Sequence, residues 1–249
     1  MTAALAAEGL QRQFGALVAT RDVTLSLPVG ERHAIIGPNG AGKTTLFNLL
    51  SGADRPDAGR VLIGGADVTH LRPDARARRG LARSFQRNSL FAEMTVRAAL
   101  MTAIAIGTRA TAIFWRRFDR DTALADRARR LAESVGLADR LESETRSLSY
   151  GAQRQLEVGL ALAADPTVLL LDEPTAGMSP EETREMLAQL SRLPRSLTLL
   201  VIEHDLDVVF DLAERITVLD YGSVLLQGTP AEVRASDVVR QRYLGERPA

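Results

Sequence analysis

An α/β fold built on a parallel sheet is predicted by three observations. A short apolar run, His33-Ala34-Ile35-Ile36, leads straight into the glycine-rich turn Gly37-Pro38-Asn39-Gly40-Ala41-Gly42-Lys43-Thr44-Thr45, and a helical apolar pattern (Leu46, Phe47, Leu49, Leu50) follows it. Val168-Leu169-Leu170-Leu171 is apolar at every position, as expected of a parallel strand covered on both faces. From Thr167 onward strand-like and helix-like segments alternate again, the pattern of helices packed on a mostly parallel sheet.

The elements follow in chain order. Val23-Thr24-Leu25-Ser26-Leu27 alternates like a half-buried strand, and Pro28-Val29-Gly30-Glu31 is its turn. After the glycine-rich turn and its helix, Asp57-Ala58-Gly59-Arg60 is a turn and Val61-Leu62-Ile63 a strand ahead of Gly64-Gly65. No proline occurs between Pro73 and Pro166. There Leu124, Ala128, Leu131 and Val135 recur at helical spacing, which predicts a helical subdomain over about 90–158 inserted in the core. Ser179-Pro180-Glu181-Glu182 opens a helix with an N-cap serine, a proline at N1 and a glutamate at N3, a capping box. Thr198–Ile202 and Ile216–Leu219 are two more strands, separated by a helix carrying Leu206, Val209, Phe210 and Ala213. The expected organisation is a single domain over 1–249, with a short tail over about 236–249.

Composition narrows the function. Basic and acidic residues balance at 31 each, so no global field draws nucleic acid or anionic lipid. The absence of cysteine excludes disulfides and thiolate metal sites. The first residues lack the basic start of a signal peptide, and the longest apolar stretches fall short of a membrane span, so the chain reads as soluble and intracellular. Of the 31 basic residues 30 are arginine, and the one lysine is Lys43. A compact, flexible point charge is wanted there rather than a planar fork.

Gly37 to Thr44 has the spacing Gly-x-x-x-x-Gly-Lys-Thr, the P-loop, in which backbone N–H groups wrap nucleotide phosphates and the lysine reaches the β and γ oxygens. The helix N-terminus behind it also faces the phosphates, and Thr44 is placed to hold Mg²⁺. Asp172-Glu173 ends the apolar strand, at the edge where parallel sheets bind ligands. There Asp172 can hold Mg²⁺ and Glu173 can orient and deprotonate a water aimed at the γ-phosphate. His204 follows the strand Thr198–Ile202, where a neutral imidazole can sense that phosphate. His33 and His70 receive no role. In Leu148-Ser149-Tyr150-Gly151-Ala152-Gln153, Ser149 and Gly151 stand at a helix start, a second anion site. One P-loop and a separate phosphate-binding helix start in one chain fit two copies arranged head to tail, each completing the other's site.

These segments, in this order, resemble the ATP-binding subunits of ABC transporters over nearly the whole chain. Gly37, Pro38, Asn39, Gly40, Ala41, Gly42, Lys43, Thr44 and Thr45 resemble Walker A, Gln86 the Q-loop glutamine and Leu148–Gln153 the ABC signature. Val168–Glu173 resembles Walker B, Ala176–Glu182 the D-loop region and His204 the switch histidine, while Phe14 matches the aromatic that stacks on adenine. Ala82-Arg83-Ser84-Phe85-Gln86, the signature tyrosine Tyr150, Ala176–Glu182 and Val201–Asp205 are similar to subunits of branched-chain, or hydrophobic, amino-acid importers. The insert around Gly107–Ala125 is similar to the larger of their two ATPase subunits.

The resemblance implies a P-loop NTPase core with a small antiparallel β edge and a helical subdomain. It implies ATP and Mg²⁺ as cofactors, with Thr44, Gln86 and Asp172 at the metal, Glu173, His204 and Gln86 in catalysis, and Ser149 and Gly151 acting on a partner's ATP. The implied partners are membrane permease subunits, a second ATPase subunit (a paralogue or a second copy) and, indirectly, a solute-binding protein, on the cytoplasmic face of the membrane. Urea, short amides or another small solute is the alternative cargo, and a soluble ABC ATPase outside transport the alternative class. Tyr150, Ala152 and Ser179 depart from the commonest family residues, and none removes a catalytic group.

Two further clusters stand out. Arg72, Arg76, Arg78, Arg79, Arg83 and Arg87 form a basic run, read as a solvated face with a membrane-side surface near the permease as the alternative. Ile113-Phe114-Trp115-Arg116-Arg117-Phe118 is read as amphipathic packing or as a contact with permease or headgroups.

Overall fold

A computed structural model describes residues 3–84, 92–107 and 121–244. Gln86, most of the Gly107–Ala125 insert and the Ile113–Phe118 cluster lie outside the described residues. Two sheets organise the rest. The first is antiparallel and contains β1 (Leu5–Phe14), β2 (Leu17–Leu27), β4 (Ala58–Ile63) and β5 (Ala66–Asp67) in the order β2-β1-β4-β5. The second contains β3 (Arg32–Ile36), β6 (Leu81–Arg83), β7 (Val168–Asp172), β8 (Thr198–Ile202), β9 (Arg215–Asp220) and β10 (Ser223–Gly228). Its order is β10-β9-β3-β8-β7-β6, parallel throughout except for β10, which returns antiparallel to β9.

The antiparallel edge expected from sequence is a four-stranded sheet, in which β1 and the short β5 are strands not anticipated from sequence. Pairing of β1 with β2 slips between Ala7 and Leu10, between Leu10 and Arg12 and again between Arg12 and Gln13. The first slip puts the extra residue in β1 and shifts its inward-facing set from Leu5 and Ala7 to Leu10, which breaks the period-2 signal that marks a strand.

The helices are α1 (Lys43–Ser51), α2 (Pro73–Ala77), α3 (Val96–Gly107), α4 (Thr122–Ser134), α5 (Tyr150–Leu162), α6 (Pro180–Arg192), α7 (Leu206–Leu212), α8 (Pro230–Ala235) and α9 (Asp237–Val239). Strand alternation divides the core. Val168 and Leu170 of β7 join α1 and the antiparallel sheet in one apolar cluster with Leu10, Val23, Phe47 and Val61. Leu169 and Leu171 point the other way, into a cluster with Leu100, Ala128, Leu156 and Met186 from α3, α4, α5 and α6. Covering both faces is what makes β7 apolar at every position.

The basic run is not one solvated face. Arg76 is fully buried, donating to the carbonyls of Leu49 and Leu50 at the end of α1 (both 2.6 Å) and to Leu71 and Thr69 (3.1 and 2.8 Å). It caps a helix C-terminus from inside, where cationic donors satisfy orphan carbonyls, and burial pushes its pKa down to about 10. Arg83 also turns inward, as described below.

Candidate active site

The parallel register brings three chain segments to one edge. Ile35 of β3 and Asp172 of β7 both lie beside Ile202 of β8, so the residues that follow these three strands emerge side by side. They are Gly37–Thr45, Glu173–Thr175 and Glu203-His204. Ligands in open parallel sheets bind at this carboxyl edge.

The glycine-rich turn is shaped by close backbone approaches. Gly42 has φ +98°, and a Cβ there would stand 2.2 Å from the carbonyl oxygen of Ala19. Gly40, at φ +81°, faces open space, so its constraint is the left-handed backbone rather than crowding. Helix α1 begins directly behind Gly42 with no side-chain cap and no acid in its first turn. Helices α4 to α8 are each capped by their own Asp, Ser or Thr. The positive end of α1 is thus left for an outside anion. Thr44 is exposed in that first turn and Thr45 partly so.

Lys43 is buried, and its Nζ donates to the carbonyls of Gly37 (2.7 Å) and Pro38 (2.9 Å). Burial lowers its pKa, while the carboxylates of Glu173 and Asp172 oppose that shift. Those two acids therefore share the ammonium's surroundings. Asp172 closes β7 and is 9% exposed, and its Oδ2 accepts from Arg83 (3.1 Å). The same guanidinium donates to Asn48 Oδ1 (2.7 Å) and Ser51 Oγ (3.2 Å) of α1, tying the strand-end acid to that helix.

Glu173 takes φ +48°, rare for a residue with a side chain, and its amide donates to the carbonyl of Ile202 (2.9 Å). This turn carries its carboxylate to within 2.6 Å of His204 Nε2. Beneath them Glu203 is buried at 3% exposure. Its Oε1 accepts from the amide (3.0 Å) and hydroxyl (2.7 Å) of Thr175, and its Oε2 from the amide of His204 (3.2 Å). Burial raises the Glu203 pKa against these donors.

Phe14 stands at the end of β1, 46% exposed, with the Arg12 guanidinium 4.6 Å from its ring centre. One ring face is thus already covered. Ser149 is the N-cap of α5, accepting from the amide of Ala152 (3.2 Å). Ser149 Oγ (3.2 Å) and the amide of Gly151 (3.1 Å) both donate to Glu182 Oε1, while Glu182 Oε2 accepts from the amide of Ser179. The capping box expected at Ser179 and Glu182 is present, and the glutamate extends from it to the start of α5. Among the described residues no hydrogen bond or ion pair joins Ser149 or Gly151 to Gly37–Thr45 of the same chain. His33 is buried between Glu31 and Thr217 (2.7 Å to each), a structural pair of contacts.

Sequence reasoning missed Arg83, Glu203 and Glu182 as neighbours of the site. Arg83 sat inside an arginine run, and Glu182 was read as a cap within the segment that resembles the D-loop region, with no link to Ser149 or Gly151. Glu203 had a signal: an acid placed directly after four consecutive apolar strand residues, Leu199–Ile202, and before His204.

The ABC transporter family model matches residues 20–176. The chain belongs to the ABC transporter family. It is 38% identical over 253 aligned positions to the high-affinity branched-chain amino acid transport ATP-binding protein LivG of Salmonella typhimurium, covering 97% of this chain and 98% of that protein. BraF of Pseudomonas aeruginosa, a protein of the same description, is 36% identical with the same coverage. Among solved structures, the ADP conformation of an ATP-binding cassette of an ABC transporter superposes with a TM-score of 0.87 at 28% identity, covering 99% of this chain and all of that one.

Proposed function

We propose that this chain is the ATP-binding and ATP-hydrolysing subunit of an ABC importer, powering uptake of branched-chain, hydrophobic amino acids through a membrane permease. The observation that carries the reading is the convergence of Lys43, Asp172, Glu173 and His204 at one edge of the parallel sheet. The cargo rests on likeness to LivG and BraF along almost the full length of all three chains.

In this reading the Gly37–Thr45 amides and Lys43 hold the phosphates, with the uncapped start of α1 adding its dipole. Phe14 offers its free ring face to adenine. A hydroxyl and a carboxylate are hard oxygen donors, so Thr44 and Asp172, joined by Gln86, would hold Mg²⁺, which would neutralise phosphate charge when bound. Arg83 engages only Oδ2 of Asp172, leaving Oδ1 as a donor. Glu173 orients the attacking water and takes its proton, and His204, within hydrogen-bond reach of Glu173, steadies the γ-phosphate. Ser149 and Gly151 act in trans, on ATP held by a second ATPase subunit arranged head to tail. The segment over about 90–158 is the helical subdomain that carries them. Closure and reopening of this pair drive the permease at the cytoplasmic face of the membrane, with cargo delivered by a solute-binding protein.

Lys43 is the only lysine, so amine-reactive labelling has two targets, this residue and the N-terminus. Saturating ATP is expected to protect Lys43, and unchanged labelling would overturn the nucleotide reading. Cells carrying Lys43→Ala are expected to lose branched-chain amino-acid uptake; uptake at the wild-type rate would overturn the cargo.

A further inference from the structure

We propose that Glu203 is a positioning residue for hydrolysis, fixing the loop that begins at Glu173 against the loop that carries His204. The proposal rests on the roles given above to Glu173 and His204. Those two side chains meet at 2.6 Å on the outer side of the site. For that contact to be reproducible, two loops from two strands must be held in register, and Glu203 is the group that spans them.

Thr175 lies two residues beyond Glu173 and is itself buried. Its amide and hydroxyl both bond to one oxygen of Glu203, and the amide of His204 bonds to the other. The Glu173 amide bonds to Ile202, the residue before Glu203. The Glu173 loop is thus fastened at its start to Ile202, the last residue of β8, and again two residues later to Glu203 itself, the residue that precedes His204.

A carboxylate in this place is not neutral packing. Among the described residues no cation pairs with Glu203, and desolvating an acid costs more than burying an amide or an alkyl group. Three donors converge on its two oxygens, which only a carboxylate can accept together. A glutamine has one oxygen and would turn its amide hydrogens toward either Thr175 or His204, donor against donor. The acid is therefore matched to the geometry that aligns Glu173 and His204. A displacement of about 1 Å in such a constellation costs on the order of a hundredfold in rate.

The test uses the purified full-length chain and separates turnover from binding and from folding. For Glu203→Gln we expect kcat for ATP to fall by about tenfold to a hundredfold, with the dissociation constant for a fluorescent ATP analogue within about twofold of wild type and the melting temperature little changed. Thr175→Val is expected to lower kcat in the same direction, and Thr175→Ser, which keeps the hydroxyl, to restore it. If Glu203→Gln does not fold, the two Thr175 variants decide the matter. Wild-type kcat in Glu203→Gln overturns the proposal, as does a parallel loss of kcat, nucleotide affinity and melting temperature, which marks a merely structural acid. Equal activity in Thr175→Ser and Thr175→Val overturns it too. Glu173→Gln is measured alongside. If that variant turns over normally, the assignment of Glu173 fails; if it is inactive while Glu203→Gln is not, only the role of Glu203 fails.

Discussion

Glu173 Oε1 and His204 Nε2 lie 2.6 Å apart, a contact between the residue after β7 and the second residue after β8. Glu173 reaches it from a left-handed backbone at φ +48°, a conformation costing roughly 1–2 kcal/mol for a residue with a Cβ. The bond from its amide to Ile202 offsets part of that cost and sets the direction of the carboxylate. On the proposed function the imidazole both braces Glu173 and steadies the γ-phosphate, a role in turnover more than in overall nucleotide affinity. His204→Ala is expected to reduce ATP turnover by about a hundredfold while nucleotide affinity stays near wild type. Turnover and affinity falling together, in parallel titrations, would make His204 a binding residue instead.

Arg83 and Asp172 are the second pair to test. With 19% and 9% side-chain exposure the two groups are screened little, and Arg83 also satisfies Asn48 and Ser51. Arg83→Met removes the cation bonded to Asp172 and leaves a nearly buried carboxylate without its direct partner, an arrangement that costs about 3 kcal/mol. We expect a corresponding drop in the urea midpoint. Arg83→Lys is expected to recover only part of it, because one ammonium cannot span Asp172, Asn48 and Ser51 as the fork does. A midpoint unchanged in Arg83→Met would show that the ion pair holds nothing.

Glu182 occupies the donors of Ser149 and Gly151 that the proposed function assigns to the partner's γ-phosphate. Two anions cannot share them. Glu182→Gln keeps a residue able to close the capping box and removes the charge. In a Glu173→Gln background it is expected to lower the ATP concentration for half-maximal dimer formation by about fivefold, the size of a screened surface interaction. Gel filtration across an ATP series reads this, and an unchanged or higher requirement would contradict the competition.

The same residue gives a pH signature. The Ser179 amide is the main cause that holds the Glu182 pKa below its ordinary 4.5, assisted by Gly151 and Ser149 and opposed by desolvation. A depressed carboxylate stabilises the fold fully above its unfolded value and loses that contribution as pH falls through the folded one. The melting-temperature gap between wild type and Glu182→Gln should therefore narrow on acidification below about 4.5. A gap constant from pH 7 to pH 3 would mean the carboxylate contacts contribute no stability.

Much of this was legible in the sequence wherever a feature is local. Gly37–Thr45 declares itself because the turn needs glycine at fixed offsets, and Ser179–Glu182 because a capping box is four residues long. β7 and β8 were readable because burial on two faces leaves only a terminal residue of each polar. What was hidden depends on tertiary placement. β1 lost its alternation to register slips. Arg76 and Arg83 looked like their solvated neighbours, yet one caps α1 and the other braces Asp172. Glu182 was explained by its own helix, and nothing in its spacing says that α5 starts within reach.

The most direct measurement is single-turnover ATP hydrolysis by Glu173→Gln beside an ATP-binding titration of the same protein. The account predicts wild-type ATP affinity, hydrolysis slowed by about a hundredfold to a thousandfold, and accumulation of a closed dimer with ATP. Hydrolysis at the wild-type rate would contradict it, because the acid that β7 delivers to His204 would then not be the base.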